Sequence, residues 1–207
     1  MNQTYKFQNL NDKVHFSQSQ IQYINNLSLE SGKEWDKKDS VMDTIKADIK
    51  SQLEKIQGGY CIYCGLSMDI VGPFDREHIV IKSKYPEFMF EPFNLVLACK
   101  TCNGSTRKGQ KDVLASKKNS QYVFNNFKII HPHLDKREEH IELSENHCTL
   151  RPKNNSEKGK NTIEMFDLNN TGLLSIRGQQ YITSCFPVSN SMDEIIKKIT
   201  EFNHSVY

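Results

Sequence analysis

An α+β fold is predicted by three features of the 207-residue sequence: apolar residues at helical spacing in its first third, short β-like runs among turn residues in its middle, and two C-x2-C pairs bracketing those runs. Hydrophobic residues make up 37% and charged residues 25%, too apolar for a disordered chain and too polar for a membrane-embedded one. No apolar run approaches the roughly 20 residues that span a bilayer. The start, Met1 to Lys6, lacks the apolar stretch of a secretory signal, so a cytoplasmic protein with no membrane partner is expected.

Taken in order, Ile21, Ile24 and Leu27 suggest a helix from about Ser17 to Leu29 that packs on a core. A second helix is expected from Ser40, where Val41, Ile45, Ile49, Leu53 and Ile56 recur at helical spacing. Ser40 and Asp43 resemble a capping box, and Gly58-Gly59 supplies a stop. Glu77–Ile81 and Asn94–Ala98 read as a strand pair, with Gly72-Pro73 and Tyr85-Pro86 as breakers. A short helix from Asn103 to about Ala115 would follow, although Gly104 and Gly109 lower its propensity. Beyond residue 118 come Tyr122-Val123-Phe124, the segment His131 to Asp135, and a polar stretch from Lys153 to Asn161 that reads as a loop. Ser191 and Glu194 form another capping pattern before Ile195, Ile196, Ile199 and Phe202, which suits a final amphipathic helix. The organisation expected is a helical segment over 1–57, a core over 58–115 and an α+β extension over 116–207.

Six cysteines in a reducing compartment favour metal binding or catalysis over disulfides. Cys61/Cys64 and Cys99/Cys102 form the two pairs, 34 residues apart, and each suits a turn that aims two thiolates at one tetrahedral Zn2+. Four thiolates leave no position for water, so this zinc would be structural. Cys148 and Cys185 stand alone and read as small buried hydrophobes.

The net charge of +2 argues against a uniformly basic nucleic-acid coat, but charge is segregated. Residues 1–55 hold eight basic and eight acidic side chains, whereas Cys99 to Lys118 holds six basic ones against Asp112. Within that stretch Arg107, Lys108 and Lys111 could contact phosphates; a solvated polar face is the rival reading.

Between the cysteine pairs lie Asp75-Arg76-Glu77-His78 and Asn94, and Asn103 follows the last cysteine. A four-cysteine frame enclosing an acidic-His pair, a middle Asn and a closing Asn resembles the HNH, or ββα-metal, nuclease family over Cys61 to Lys108, about a quarter of the chain. The resemblance implies a ββα-metal core and phosphodiester hydrolysis, which needs an activated water and a cation on the phosphate. His78 can act as general base, because neutral imidazole accepts a proton near pH 7. An ordinary imidazole predicts activity that falls as pH drops through about 6.5. The resemblance further implies Glu77 and Asn103 as oxygen ligands of a catalytic Mg2+ or Mn2+, and Asn94 as a brace that orients the base. Adjacent residues in an extended strand point to opposite faces, so Glu77 and His78 would not share a side unless the strand bulged. Asn103 stands where many members carry His, which favours a hard cation.

More loosely, Asp75-x-Glu77-His78, Lys82 to Pro86, Cys99-x-x-Cys102-Asn103, His131 to Asp135 with Glu139-His140, and Thr162-Ile163 through Leu168-Asn169 to Arg177 resemble the HNH subunit of Septu-type bacterial anti-phage systems. That likeness implies DNA as substrate and an SMC-like or ABC-type ATPase as partner. His131, His133 and His140 invite a second metal site, but are expected instead to tie the C-terminal region down through hydrogen bonds. The rival from another class is a noncatalytic zinc-ribbon module that displays basic residues to nucleic acid or protein and leaves Glu77, His78 and Asn103 without a role.

Overall fold

The computed structural model describes residues 6, 8–116, 122 and 126–185. The first two helices form as their sequences require. Ser17 and Gln20 make a reciprocal capping box that starts helix α1, Gln18–Asn25, which ends before the expected Leu29. Helix α2 runs over Ser40–Gln57, but its cap is Asp39 rather than Ser40: the Asp39 carboxylate accepts from the Met42 amide at 2.9 Å and from the Tyr23 hydroxyl at 2.6 Å. Gly58 closes α2 in the left-handed region, at φ 59°, where a side chain would be strained.

Met42, Ile45, Ile49 and Leu53 form the buried stripe of α2, while Val41, expected in that stripe, is exposed. Each such burial contributes about 1.5–3 kcal/mol. The stripe packs on strand β2, Leu95–Ala98, every residue of which is buried. Strand β1, Asp75–His78, pairs antiparallel with β2, with Glu77 opposite Val96 and His78 opposite Leu95. On its other edge β2 meets a side chain instead of a strand. The buried Gln57 amide accepts from the Leu97 amide at 2.6 Å and donates to the Leu97 carbonyl at 2.9 Å.

Both strands differ in extent from the sequence expectation: β1 begins two residues earlier, at Asp75, and Asn94 accounts for the early end of β1 and the later start of β2. Asn94 lies in a 3-10 turn rather than in β2, and its side chain captures Val80, which takes residues 79–81 out of the ladder. The helix expected over 103–115 is replaced by helix α4, Lys100–Asn103, and a run of turns. Cys99 caps α4 through its sulfur, and Gly104 leaves helical geometry at φ −67°, ψ 164°. A Cβ at Gly104 would lie 2.9 Å from the Lys100 carbonyl oxygen, so the chain turns there at a point where glycine fits best.

A one-turn helix α3, Met68–Val71, precedes β1. Beyond the turns, strands β3, Ile141–Leu143, and β4, Leu150–Pro152, form a second antiparallel pair against helix α5, Glu157–Met165. Helix α6, Thr171–Cys185, follows. The polar stretch read as a loop over 153–161 therefore contains the start of α5, because Ser156 caps it by accepting from the Gly159 amide. Gly159 is packed onto the His140 carbonyl so tightly that a Cβ would collide with it. Cys148 and Cys185 are half-buried rather than buried. The helix expected after Ser191, and Val123-Phe124, lie outside the described residues.

Buried side chains from the N-terminal segment, the middle and the C-terminal segment belong to one hydrophobic cluster. Among the described residues no helix is long and apolar enough to cross a membrane. Asp39→Ala should remove both the α2 cap and the partner of Tyr23, lowering unfolding free energy in urea by about 1–2 kcal/mol. A loss below about 0.3 kcal/mol would contradict the assigned cap.

Candidate metal centre and adjoining acidic-histidine site

The first cysteine pair sits in a tight turn, where the Gly65 amide donates to the Cys61 carbonyl and the Cys61 amide to the Leu66 carbonyl, both at 2.9 Å. The second pair opens α4. The turn and the helix start converge so that the sulfurs of Cys61, Cys64, Cys99 and Cys102, all buried, lie within 4.8 Å of one another. The Cys64 and Cys99 sulfurs are 3.9 Å apart. Tetrahedral Zn2+ with bonds near 2.3 Å places its sulfurs about 3.8 Å apart, so the cluster fits zinc. Backbone amides already face it: Cys99 N–H donates to the Cys61 sulfur at 3.3 Å and Cys102 N–H to the Cys99 sulfur at 3.5 Å. Thiol donors, Cys102 foremost, pull the Cys99 thiol below its ordinary range, and donation to Cys61 pushes Cys102 up. A cation is what allows all four to ionise together.

β1 carries Glu77 and His78 away from this cluster in a regular ladder with no bulge, and their surroundings differ accordingly. Glu77 meets Lys108, whose ammonium lies 3.2 Å from Oε1, and the Tyr63 hydroxyl at 3.5 Å. Burial raises the Glu77 pKa, and the Lys108 charge opposes that rise. His78 lies under the Trp35 ring, with centroids 4.5 Å apart in an edge-to-face contact, and its Nε2 is 3.1 Å from the Met89 carbonyl oxygen. A carbonyl can only accept, so Nε2 carries the proton and Nδ1 is the acceptor nitrogen. Burial lowers the His78 pKa to about 3, so the acid limb expected near 6.5 for an ordinary imidazole does not belong to this buried form.

Asn94 is fully buried and braces the loop after β1. Its Oδ1 accepts from the Val80 amide at 2.6 Å, and its Nδ2 donates to the Val80 carbonyl at 3.1 Å and the Phe88 carbonyl at 2.9 Å. The Tyr122 hydroxyl donates to Asn94 Oδ1 at 3.2 Å and pairs with His131 Nε2 at 2.7 Å. Asn103 ends α4, half-buried, on the segment that also carries Cys102. A carboxylate and an amide carbonyl suit a hard cation such as Mg2+ or Mn2+, although in this state the Glu77 oxygen faces an ammonium.

No family model matches the chain. Over 125 residues the chain is 33% identical to the Septu protein PtuB of Bacillus thuringiensis. That match takes in 60% of this chain and 42% of the relative, so the chain corresponds to about two fifths of that protein's length.

The three cations expected at a phosphate-binding surface have different fates. Lys111 is exposed. Arg107 grips Asp167 through its carboxylate at 3.2 Å and its carbonyl at 3.3 Å. Lys108, 1% exposed, cannot reach a phosphate from its place on Glu77. Lys82 likewise bonds to the Gly32 carbonyl and Asp36, and Lys84 pairs with Asp112. Of the three histidines expected to tie the C-terminal region down rather than hold a second metal, His131 and His140 make side-chain hydrogen bonds, His140 to Ser156 at 2.7 Å. Among the described residues the four cysteines are the one metal-competent cluster of His, Cys, Asp or Glu.

Two participants were not found from sequence. Trp35, the one tryptophan, lies in a polar stretch without periodicity, and the Met89 carbonyl has no side-chain signature at all.

With Zn2+ supplied to the cluster, its removal by a chelator, or Cys102→Ala, should collapse near-ultraviolet circular dichroism as zinc content falls, because the cluster ties the Cys61–Cys64 turn to the start of α4. Acid should also destabilise the fold. His78 at about 3, His133 at about 4 and His131 well below its usual value bind fewer protons folded than unfolded, so their contribution is complete above about pH 6.5 and is lost as pH falls below it. The slope is up to about 1.4 kcal/mol per pH unit for each histidine, with Glu77 opposing as one proton against three. The melting temperature should drop between pH 7.5 and 5, and an unchanged value would contradict the buried neutral state.

Proposed function

We propose that the chain is a metal-dependent HNH endonuclease that hydrolyses DNA phosphodiester bonds in bacterial anti-phage defence, working with an SMC-like or ABC-type ATPase. The observation that carries the chemistry is the fixed tautomer of His78: Met89 holds Nε2–H, leaving Nδ1 to take the proton of an attacking water. The imidazole follows a buried carboxylate in the chain, and both lie between the two pairs of a zinc-competent cysteine frame; the regular β1 ladder turns them to different sides, so a joint site requires β1 to twist there. Glu77 and Asn103 would hold the Mg2+ or Mn2+, which supplies charge neutralisation on the phosphate when bound. Asn94 keeps the loop that presents Met89 in register with β1, so it orients the base without touching metal. Lys111, and Arg107 once it leaves Asp167, would contact the flanking phosphates. The defence role is supported by the likeness to PtuB, and the ATPase partner by the family resemblance of the sequence.

In this reading residues 58–115 are the nuclease core, and the described residues before and after it are its supports. Trp35 and the 3-10 turn Gly32–Asp36 cover His78, so substrate entry requires that turn to lift. Lys82 fastens it, bonding to the Gly32 carbonyl at 3.2 Å and to Asp36.

The same cover supports a second reading, a zinc-ribbon module that binds nucleic acid or protein without cutting, because both candidate catalytic side chains are nearly inaccessible. Supercoiled plasmid with Mg2+ or Mn2+ separates the two. The wild type should nick or linearise it, and His78→Ala should lose at least about a hundredfold in rate with zinc content unchanged. Cutting by a zinc-replete His78→Ala protein at the wild-type rate would eliminate the proposed base. DNA binding without cutting by either, even with the ATPase partner added, would favour the second reading.

A further inference from the structure

Glu77 and Lys108 form the most enclosed ion pair among the described residues, with side chains 9% and 1% exposed. A carboxylate so far from water keeps its charge only beside a cation, and here the cation is an ammonium that also donates to the His78 carbonyl at 3.4 Å. If Glu77 is a ligand of the catalytic metal, as proposed above, that metal and the Lys108 ammonium compete for one buried carboxylate. A divalent ion and an ammonium side by side would repel strongly in this low-dielectric setting, so each weakens the hold of the carboxylate on the other.

The backbone around Lys108 allows exchange. Its amide donates to the Cys102 carbonyl at 3.0 Å, which anchors the residue to the cysteine cluster independently of its side chain. The four-carbon stem can therefore swing without breaking that bond. Lys108 also lies among turns between Gly104 and Gly109, the latter at φ 43°. Arg107 and Lys111, its neighbours in the cationic stretch, lie partly or fully at the surface.

We propose that Lys108 is the resident counter-ion of Glu77, and that a divalent cation loads by displacing its ammonium, which then joins Arg107 and Lys111 as a phosphate contact. The metal-free chain is thus held with one cation of its DNA surface turned inward. Metal loading and DNA engagement become one event, since the displacement that fills the site also extends the cationic surface.

The test is Mn2+ binding to the zinc-loaded full chain, read from the electron paramagnetic resonance signal of free Mn2+. Lys108→Met should bind Mn2+ about tenfold or more tighter than wild type, and adding Glu77→Gln should remove the gain. Equal or weaker binding by a folded, zinc-replete Lys108→Met protein overturns the proposal and leaves the nuclease reading to its plasmid assay. Because that variant strips a buried carboxylate of its partner, the wild type is tested in parallel by amine acetylation and mass spectrometry. Lys108 should be protected without Mn2+ and become modified as Mn2+ saturates, with Lys111 modified throughout. Continued protection of Lys108 at saturating Mn2+ overturns the proposal. So does the absence of a saturable Mn2+ site in both proteins, a result that also removes Glu77 as a metal ligand.

Discussion

Four sulfurs from two pairs whose nearest members, Cys64 and Cys99, are 35 positions apart meet in one buried cluster, and the rest of the middle segment depends on that meeting. The cluster fixes where β2 hands over to α4, since Cys99 both ends the strand connection and caps the helix. It also fixes the Cys102 carbonyl that holds Lys108, and through Lys108 the position of Glu77. Without a cation, buried thiols so close together remain largely protonated. With a divalent one, half of the four thiolates' charge is offset and each sulfur gains a metal bond, so the convergence becomes stabilising.

From that anchor the antiparallel pair acts as a sorter. A regular ladder sends Glu77 toward Lys108 and Tyr63, and His78 toward Trp35 and Met89. The acid and the imidazole are therefore tuned by different surroundings although they are chain neighbours: one faces a positive charge, the other an aromatic edge and a carbonyl. Such separation lets one group keep a negative charge while the other stays neutral, a division that adjacent groups in a shared pocket could not maintain as cleanly.

The cysteine cluster was legible because metal ligation imposes a spacing, and α2 because a buried helix face imposes a period. Strand limits were not, because they turn on Asn94, whose side chain imitates a backbone partner for Val80 and ends the ladder early. The helix expected after Asn103 failed at Gly104, where the requirement is local crowding by Lys100 rather than propensity. Of the cationic stretch, composition gave the charge but not its direction: Lys108 turns inward because a buried carboxylate needs it, a demand set by tertiary packing. The later motif residues prove to be fasteners. Thr162 accepts from the Ile130 amide at 2.8 Å, Asn169 pairs with both backbone groups of Leu150 at 2.8 Å, and Arg177 donates to the Leu168 carbonyl at 2.7 Å.

The chain of bonds from His131 through Tyr122 to Asn94 has a consequence for modularity. A fragment ending near residue 115 would retain the four clustered cysteines, β1, β2 and His78, yet would lose the hydroxyl that meets Asn94 and the imidazole behind it. The segment of β1, β2 and α4 is thus not a portable cassette. Grafted onto another protein, it would arrive with the loop that carries Met89 under-supported, so any lineage that reuses this segment must supply a replacement buttress or keep the C-terminal portion with it.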